Sequence, residues 1–171
     1  LKERLARGEV VSTMGIRTFG GIEMAHIAKS CGFDAIYIDL QHSPLSMEST
    51  SRLCIAALGV GITPMVRVPG YGPDWVSRVL DGGALGITAP GIRTPDDVKR
   101  VVANAKFPPI GERSTGGGLP HVGYRSVSQE TVFREMNDAT LVLITLENPQ
   151  ALECVEDLAA DGIVYAEVRY A

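Results

Sequence analysis

Residues 32–44 read Gly-Phe-Asp-Ala-Ile-Tyr-Ile-Asp-Leu-Gln-His-Ser-Pro. Inside them, Ala35-Ile36-Tyr37-Ile38-Asp39 is a near-continuous apolar run that closes on a carboxylate, and Gly32 stands where a preceding helix would stop. A strand that is apolar on both faces belongs to a parallel sheet covered on both sides, not to an antiparallel sheet with one wet face. The same unit recurs outward in both directions. A weak first strand is expected over 10–14 and a helix over 21–30, with Ile22, Ala25, Ile27 and Ala28 on one face. Downstream, helix 47–58 leads to strand 63–68, helix 74–80 to strand 85–89, and helix 94–105 follows. Thr94 is placed to cap that last helix, with Pro95 at its first position and Asp96 and Asp97 in its first turn. A Pro- and Gly-rich loop over 106–125 and a polar helical stretch to Met136 precede a fifth strand, 141–146. Helix 149–160 and a sixth strand, 162–168, complete the reading.

Strands alternating with helices leave two parallel architectures in contention. A doubly wound sheet would carry a Gly-rich phosphate turn after its first strand, yet Gly15, Gly20 and Gly21 do not form GxGxxG and no GxxxxGK[ST] occurs. A (β/α)₈ barrel gathers its chemistry at the carboxyl ends of several strands. The candidate side chains fall there: Asp39 and His42 after the second strand, Arg67 at the third, Glu147 after the fifth. The expectation is therefore an α/β fold of the (β/α)₈ TIM-barrel type. Because six strands are legible where eight close a barrel, the barrel is expected to be incomplete, a single domain over 1–171 whose C-terminal portion is missing or atypical.

Composition narrows the function. The 171 residues are 45% hydrophobic and 21% charged, ordinary globular values that exclude disorder and collagen-like structure. A formal net charge of −4 gives no electrostatic footprint for nucleic acid. No apolar run reaches the roughly 18–20 residues of a membrane span. The first residues, Leu1-Lys2-Glu3-Arg4-Leu5, lack a signal-peptide core, and three cysteines without CxxC spacing read as thiols in a reducing, cytoplasmic setting.

Each candidate has a plain reading beside a chemical one. His42 near Asp39 is either a proton carrier tuned by a carboxylate or a loop residue beside a helix cap. Arg67, inside the apolar run Met65-Val66-Arg67-Val68, must meet an anion, which is either a structural Asp or a substrate carboxylate. Glu147 at a strand end suits a hard divalent cation, or only complements the following helix. The Gly111–Gly118 loop either wraps an anion with backbone N–H groups or merely turns.

Taken together, five ordered stretches resemble the HpcH/HpaI family of metal-dependent class II pyruvate aldolases. They are GFDAIYIDLQHSP (32–44), TPMVRVP (63–69), VLDGGALGITAP (79–90), FPPIGERSTGGG (107–118) and LVLITLENPQAL (141–152), so the likeness covers about residues 1–152. The resemblance implies an oligomeric enzyme that makes or breaks a C–C bond between pyruvate, or a related 2-oxo acid, and an aldehyde through an enolate. It implies catalytic roles for His42, Asp39 and Arg67, substrate contacts at Arg67, Thr145 and Gly111, and a divalent cation (Mg²⁺, Mn²⁺ or Co²⁺) on Glu147. Gln41 and Thr145 stand where many members carry Glu and Gln, and no Asp matches the second metal carboxylate. The tail from about Val155 resembles an adenosine deaminase strand instead, without that family's metal histidines. An acyl-CoA lyase of the citryl or malyl type and a non-catalytic barrel fragment are the alternatives. Neither nucleic acid nor membrane is an expected partner.

Overall fold

The computed structural model describes residues 1–160 and 165–168, with side chains through Asp157. In chain order the elements are α1 (Lys2–Ala6), β1 (Thr13–Ile16), α2 (Glu23–Ser30), β2 (Ala35–Asp39), α3 (Met47–Val60), β3 (Thr63–Arg67), α4 (Pro73–Asp81), β4 (Gly86–Ala89) and α5 (Pro95–Ala105). A 3₁₀ turn (Pro120–Val122), α6 (Gln129–Ala139), β5 (Leu141–Leu146), α7 (Pro149–Glu153), α8 (Val155–Ala160) and β6 (Tyr165–Val168) follow. The six strands form one sheet in sequential order, every pair parallel. This is the TIM-barrel type of α/β fold, not closed on itself among the described residues.

Residue alternation sorts the sheet into two faces. Ile36 and Ile38, Val66 and Val68, Ile87 and Ala89, and Ile144 and Leu146 pack outward into the large core beneath the helices, beside Leu53, Ala57, Val76, Leu80, Val98 and Val101. The opposite set contains Ala35, Tyr37, Met65, Leu141 and Leu143, which form a smaller inner cluster. Period two continues that inner face to Asp39, Arg67, Thr88 and Thr145. The inner face is thus apolar near the amino ends of the strands and polar near their carboxyl ends.

Helix ends follow the local chemistry. Ser46 and Ser49 form a reciprocal capping box on α3, and Gly61 (φ 69°) closes that helix in the left-handed region. Thr94 and Asp97 make the same box on α5, with Pro95 at its start as the sequence implies.

Three expectations need correction. The first strand lies at Thr13–Ile16 rather than 10–14, and Val10 is exposed, because the pleat accommodates Gly15 and seats Ile16 in the core. Helix 149–160 is broken at Cys154 into α7 and α8. On α2, Ala25 and Ala28 are buried while Ile22 and Ile27 stay exposed, so small residues make the contact. Of the expected strand 162–168, residues 165–168 pair with β5, and 162–164 lie outside the described residues.

Candidate active site at the carboxyl ends of the strands

Register brings three inner-face residues into one row, with Asp39 opposite Arg67 and Arg67 opposite Thr88. Arg67 grips Asp39 with two parallel bonds, Nε to Oδ1 at 3.0 Å and Nη2 to Oδ2 at 2.5 Å. Both side chains are nearly sealed from solvent, 10% and 2% exposed. The anion that the sequence demanded for Arg67 is therefore Asp39, in the fork geometry that a guanidinium favours. Burial by itself would push the Asp39 carboxyl upward. The Arg67 fork and the backbone N–H groups of His42 and Gln41 outweigh it and hold the carboxyl below its ordinary value. The bond to Asp39 likewise raises Arg67, with smaller help from the negative charge of Glu147. This fork engages Nε and Nη2 and leaves Nη1 of Arg67 without a hydrogen-bond partner among the described residues.

The expected contact between Asp39 and the His42 ring takes another form. Oδ1 of Asp39 accepts from the backbone N–H of Gln41 at 3.0 Å and of His42 at 3.1 Å, which is a turn-making pattern. The carboxylate thereby pins the loop that carries the exposed His42, and the imidazole makes no hydrogen bond among the described residues. Arg17, just past β1, completes the group. Its Nε lies 3.3 Å from Asp39 Oδ2, and its Nη2 donates to the His42 carbonyl at 3.0 Å. Sequence reading passed over Arg17 because the first strand was placed three residues too early. Once β1 is in register with β2, Arg17 falls level with Asp39. Thr88 was also passed over; its alternation with Gly86 is the signal.

Glu147 follows β5 and is exposed, and its Oε1 accepts from the backbone N–H of Gly91 at 2.9 Å. Thr145, two residues earlier on the same face, is buried, and its hydroxyl has no protein partner among the described residues. Thr88 shares that condition. No group of three His, Cys, Asp or Glu side chains converges as a metal site among the described residues. Glu147 does fit the kind of site Mg²⁺ takes, in which one or two carboxylates are completed by substrate oxygens and water.

Gly111 is not brought to this group. The chain returns along α5 toward the amino ends of the strands, where Lys106 Nζ donates to the carbonyls of Asn137 and Thr140 just ahead of β5. Gly111 packs there, its N–H donating to the Phe107 carbonyl, and a Cβ would meet the Lys106 carbonyl oxygen at 2.3 Å. Its smallness serves close packing at the end of the strands opposite Asp39 and Arg67.

Comparison with known proteins bears on the family and the fold. A family profile described as HpcH/HpaI aldolase/citrate lyase matches residues 21–166. The match runs beyond 152 into the tail that resembles a deaminase strand, and β6 joins the sheet as the next parallel strand in order. A 4-hydroxy-4-methyl-2-oxoglutarate aldolase of Chaetomium globosum is 37% identical over 92% of this chain and 59% of its own length. A second, from Hapsidospora irregularis, is 38% identical over 94% of this chain and 60% of its own. The crystal structure of an HpcH/HpaI aldolase from Desulfitobacterium hafniense DCB-2 superposes with a TM-score of 0.92 at 25% identity, over 99% of this chain and 65% of that one. The chain thus spans about 60% of the length of the curated relatives it matches.

Proposed function

The chain belongs to the HpcH/HpaI aldolase/citrate lyase family, and from that premise we propose that it is the catalytic-barrel portion of a carbon–carbon lyase acting on pyruvate or a related 2-oxo acid. The observation that carries the reading is the buried Asp39–Arg67 fork at the carboxyl ends of the strands, with Glu147 close enough to raise Arg67. A guanidinium locked along its Nε/Nη2 edge has Nη1 left to offer the substrate at no cost in reorganisation. Its charge then stabilises the oxygen of an enolate more than that of the neutral ketone. His42, exposed beside it, is the proton carrier, and Asp39 is a positioning residue that fixes both partners. Thr145, buried on the inner face two residues before Glu147 with a hydroxyl unpartnered among the described residues, is the proposed substrate contact on β5. Glu147 would hold a divalent cation, Mg²⁺, Mn²⁺ or Co²⁺, which when bound supplies Lewis-acid stabilisation of the 2-oxo group.

The two curated relatives bear the name of an aldolase for 4-hydroxy-4-methyl-2-oxoglutarate, the aldol of two pyruvate molecules. That compound is the substrate to try first. Its cleavage is followed by coupling released pyruvate to lactate dehydrogenase, with Mg²⁺ and then with chelator. Chelator-sensitive pyruvate release is the expected outcome. Release of acetyl-CoA from a citryl- or malyl-thioester in its place would contradict the reading and favour the acyl-CoA lyases. A homo-oligomer in a reducing, cytoplasmic setting completes the proposal. Cys31, Cys54 and Cys154 are free thiols, and no helix among the described residues is long and apolar enough to cross a membrane.

A further inference from the structure

We infer that Arg17 selects an acceptor bearing a carboxylate on its reacting carbonyl carbon, an inference that rests on the aldolase reading above. Asp39 Oδ2 is shared by two guanidinium groups, Arg67 from below and Arg17 from the solvent side. Asp39 alone cannot neutralise both cations, and Glu147, whose charge also reaches Arg67, would be engaged by the cation of the proposed site, so a positive charge is left over where the pair faces solvent. Exposure says which cation carries it. The Arg67 side chain is 10% exposed and forked onto Asp39, whereas Arg17 is 63% exposed and holds Asp39 through Nε alone.

Arg17 is nevertheless held in place. Its Nη2 donates to the backbone carbonyl of His42, so its guanidinium is tied to the loop that carries the proposed proton carrier. The loop that follows is seated against the start of α3, because a Cβ on Gly20 would come within 2.9 Å of the Ser49 Cβ and 3.2 Å of Leu45. Arg17 is itself 63% exposed and Asp39 is already forked by Arg67, so folding alone gives a weak reason for a second arginine on this carboxylate. A guanidinium with unused N–H donors at the mouth of a site recognises a carboxylate.

The chemistry places that carboxylate. The donor loses a methyl proton to form its enolate, and Arg67 and the Glu147 side of the site serve the donor's oxygens. The enolate carbon then bonds to the acceptor's carbonyl carbon, the C=O π pair moves onto oxygen, and that oxygen takes up a proton. An acceptor carboxylate one bond from the attacked carbon lies on the His42 side, next to Arg17. Acceptors of the glyoxylate or 2-oxo acid class are thereby favoured over neutral aldehydes.

The test uses pyruvate as donor with two acceptors that differ only in this group, glyoxylate and acetaldehyde. The quantity read is the ratio of their kcat/KM values, from which the shared donor step cancels. In the unmodified chain the ratio should favour glyoxylate, and Arg17→Ala should lower it by about 30-fold, the scale of a charge-assisted hydrogen bond. Arg17→Lys, which keeps charge and volume and guards against misfolding of the alanine variant, should fall between the two. A ratio that stays within about threefold of the unmodified value in both variants overturns the inference. Exchange of pyruvate methyl protons with D₂O, run on the unmodified chain, separates the two claims. Exchange with an unchanged ratio overturns the role of Arg17 alone, and absence of exchange overturns the aldolase reading and this inference with it.

Discussion

At the residue scale, the Asp39 carboxylate is satisfied from every side by Arg67, Arg17 and the backbone N–H groups of Gln41 and His42. Removing its charge leaves a buried guanidinium with half its partner. Asp39→Asn should therefore destabilise the fold by about 3 kcal/mol at neutral pH, since breaking one side of a buried pair costs far more than losing a surface bridge. The pH dependence has a definite sign. Because the folded carboxyl is held below its ordinary value, its contribution is complete above the ordinary carboxylate range and is lost as pH falls through the folded value. Urea unfolding at pH 7 and pH 3 should show the gap between wild type and Asp39→Asn shrinking with acid; a constant gap would contradict this assignment. Much of this was legible in the chain, because a charge ending an apolar strand has few places to go. What the chain did not display was the partnership: Asp39 sits three residues from His42 but pairs across the sheet with Arg67, twenty-eight residues on, and register decides such pairs.

At the scale of elements, α5 shows how one side chain ties a helix start to the loop that precedes α4. Asp97 closes the capping box with Thr94 and also accepts from the Tyr71 hydroxyl at 2.8 Å and from Arg100. Burial would raise its carboxyl, yet these donors and the backbone N–H groups of Arg93 and Thr94 bring it down to about 2. Relative to an ordinary Asp, that is about 2 kcal/mol of stability, present above pH 4 and lost between about pH 4 and pH 2. Asp97→Asn should remove that amount at neutral pH and flatten the acid limb of the stability curve, as thermal melts from pH 2 to pH 7 would show. Retention of the full acid limb in the variant would place the titration elsewhere. Caps and helix starts were readable here because Ser, Thr, Pro and Asp act locally. The first strand was not, since an interior Gly15 disguises it, and neither was the break at Cys154, which no proline or glycine announces.

At the scale of the molecule, alternating strands and helices fixed a parallel sheet in sequential order, and the inner row of Asp39, Arg67 and Thr88 follows from its register. Among the described residues β1 and β6 are each paired on one side only. For the proposed homo-oligomer, sedimentation velocity should find a weight-average mass above that of one chain, rising with concentration. A concentration-independent monomer would contradict it. The central claim concerns the enolate, and it can be tested without knowing the acceptor. Incubated in D₂O with Mg²⁺, Mn²⁺ or Co²⁺, the chain should exchange the methyl protons of pyruvate, followed by NMR. The exchange should vanish with chelator and fall at least about 100-fold in Arg67→Ala and Glu147→Ala. No exchange from a folded sample, or exchange indifferent to chelator and to both substitutions, would contradict the account.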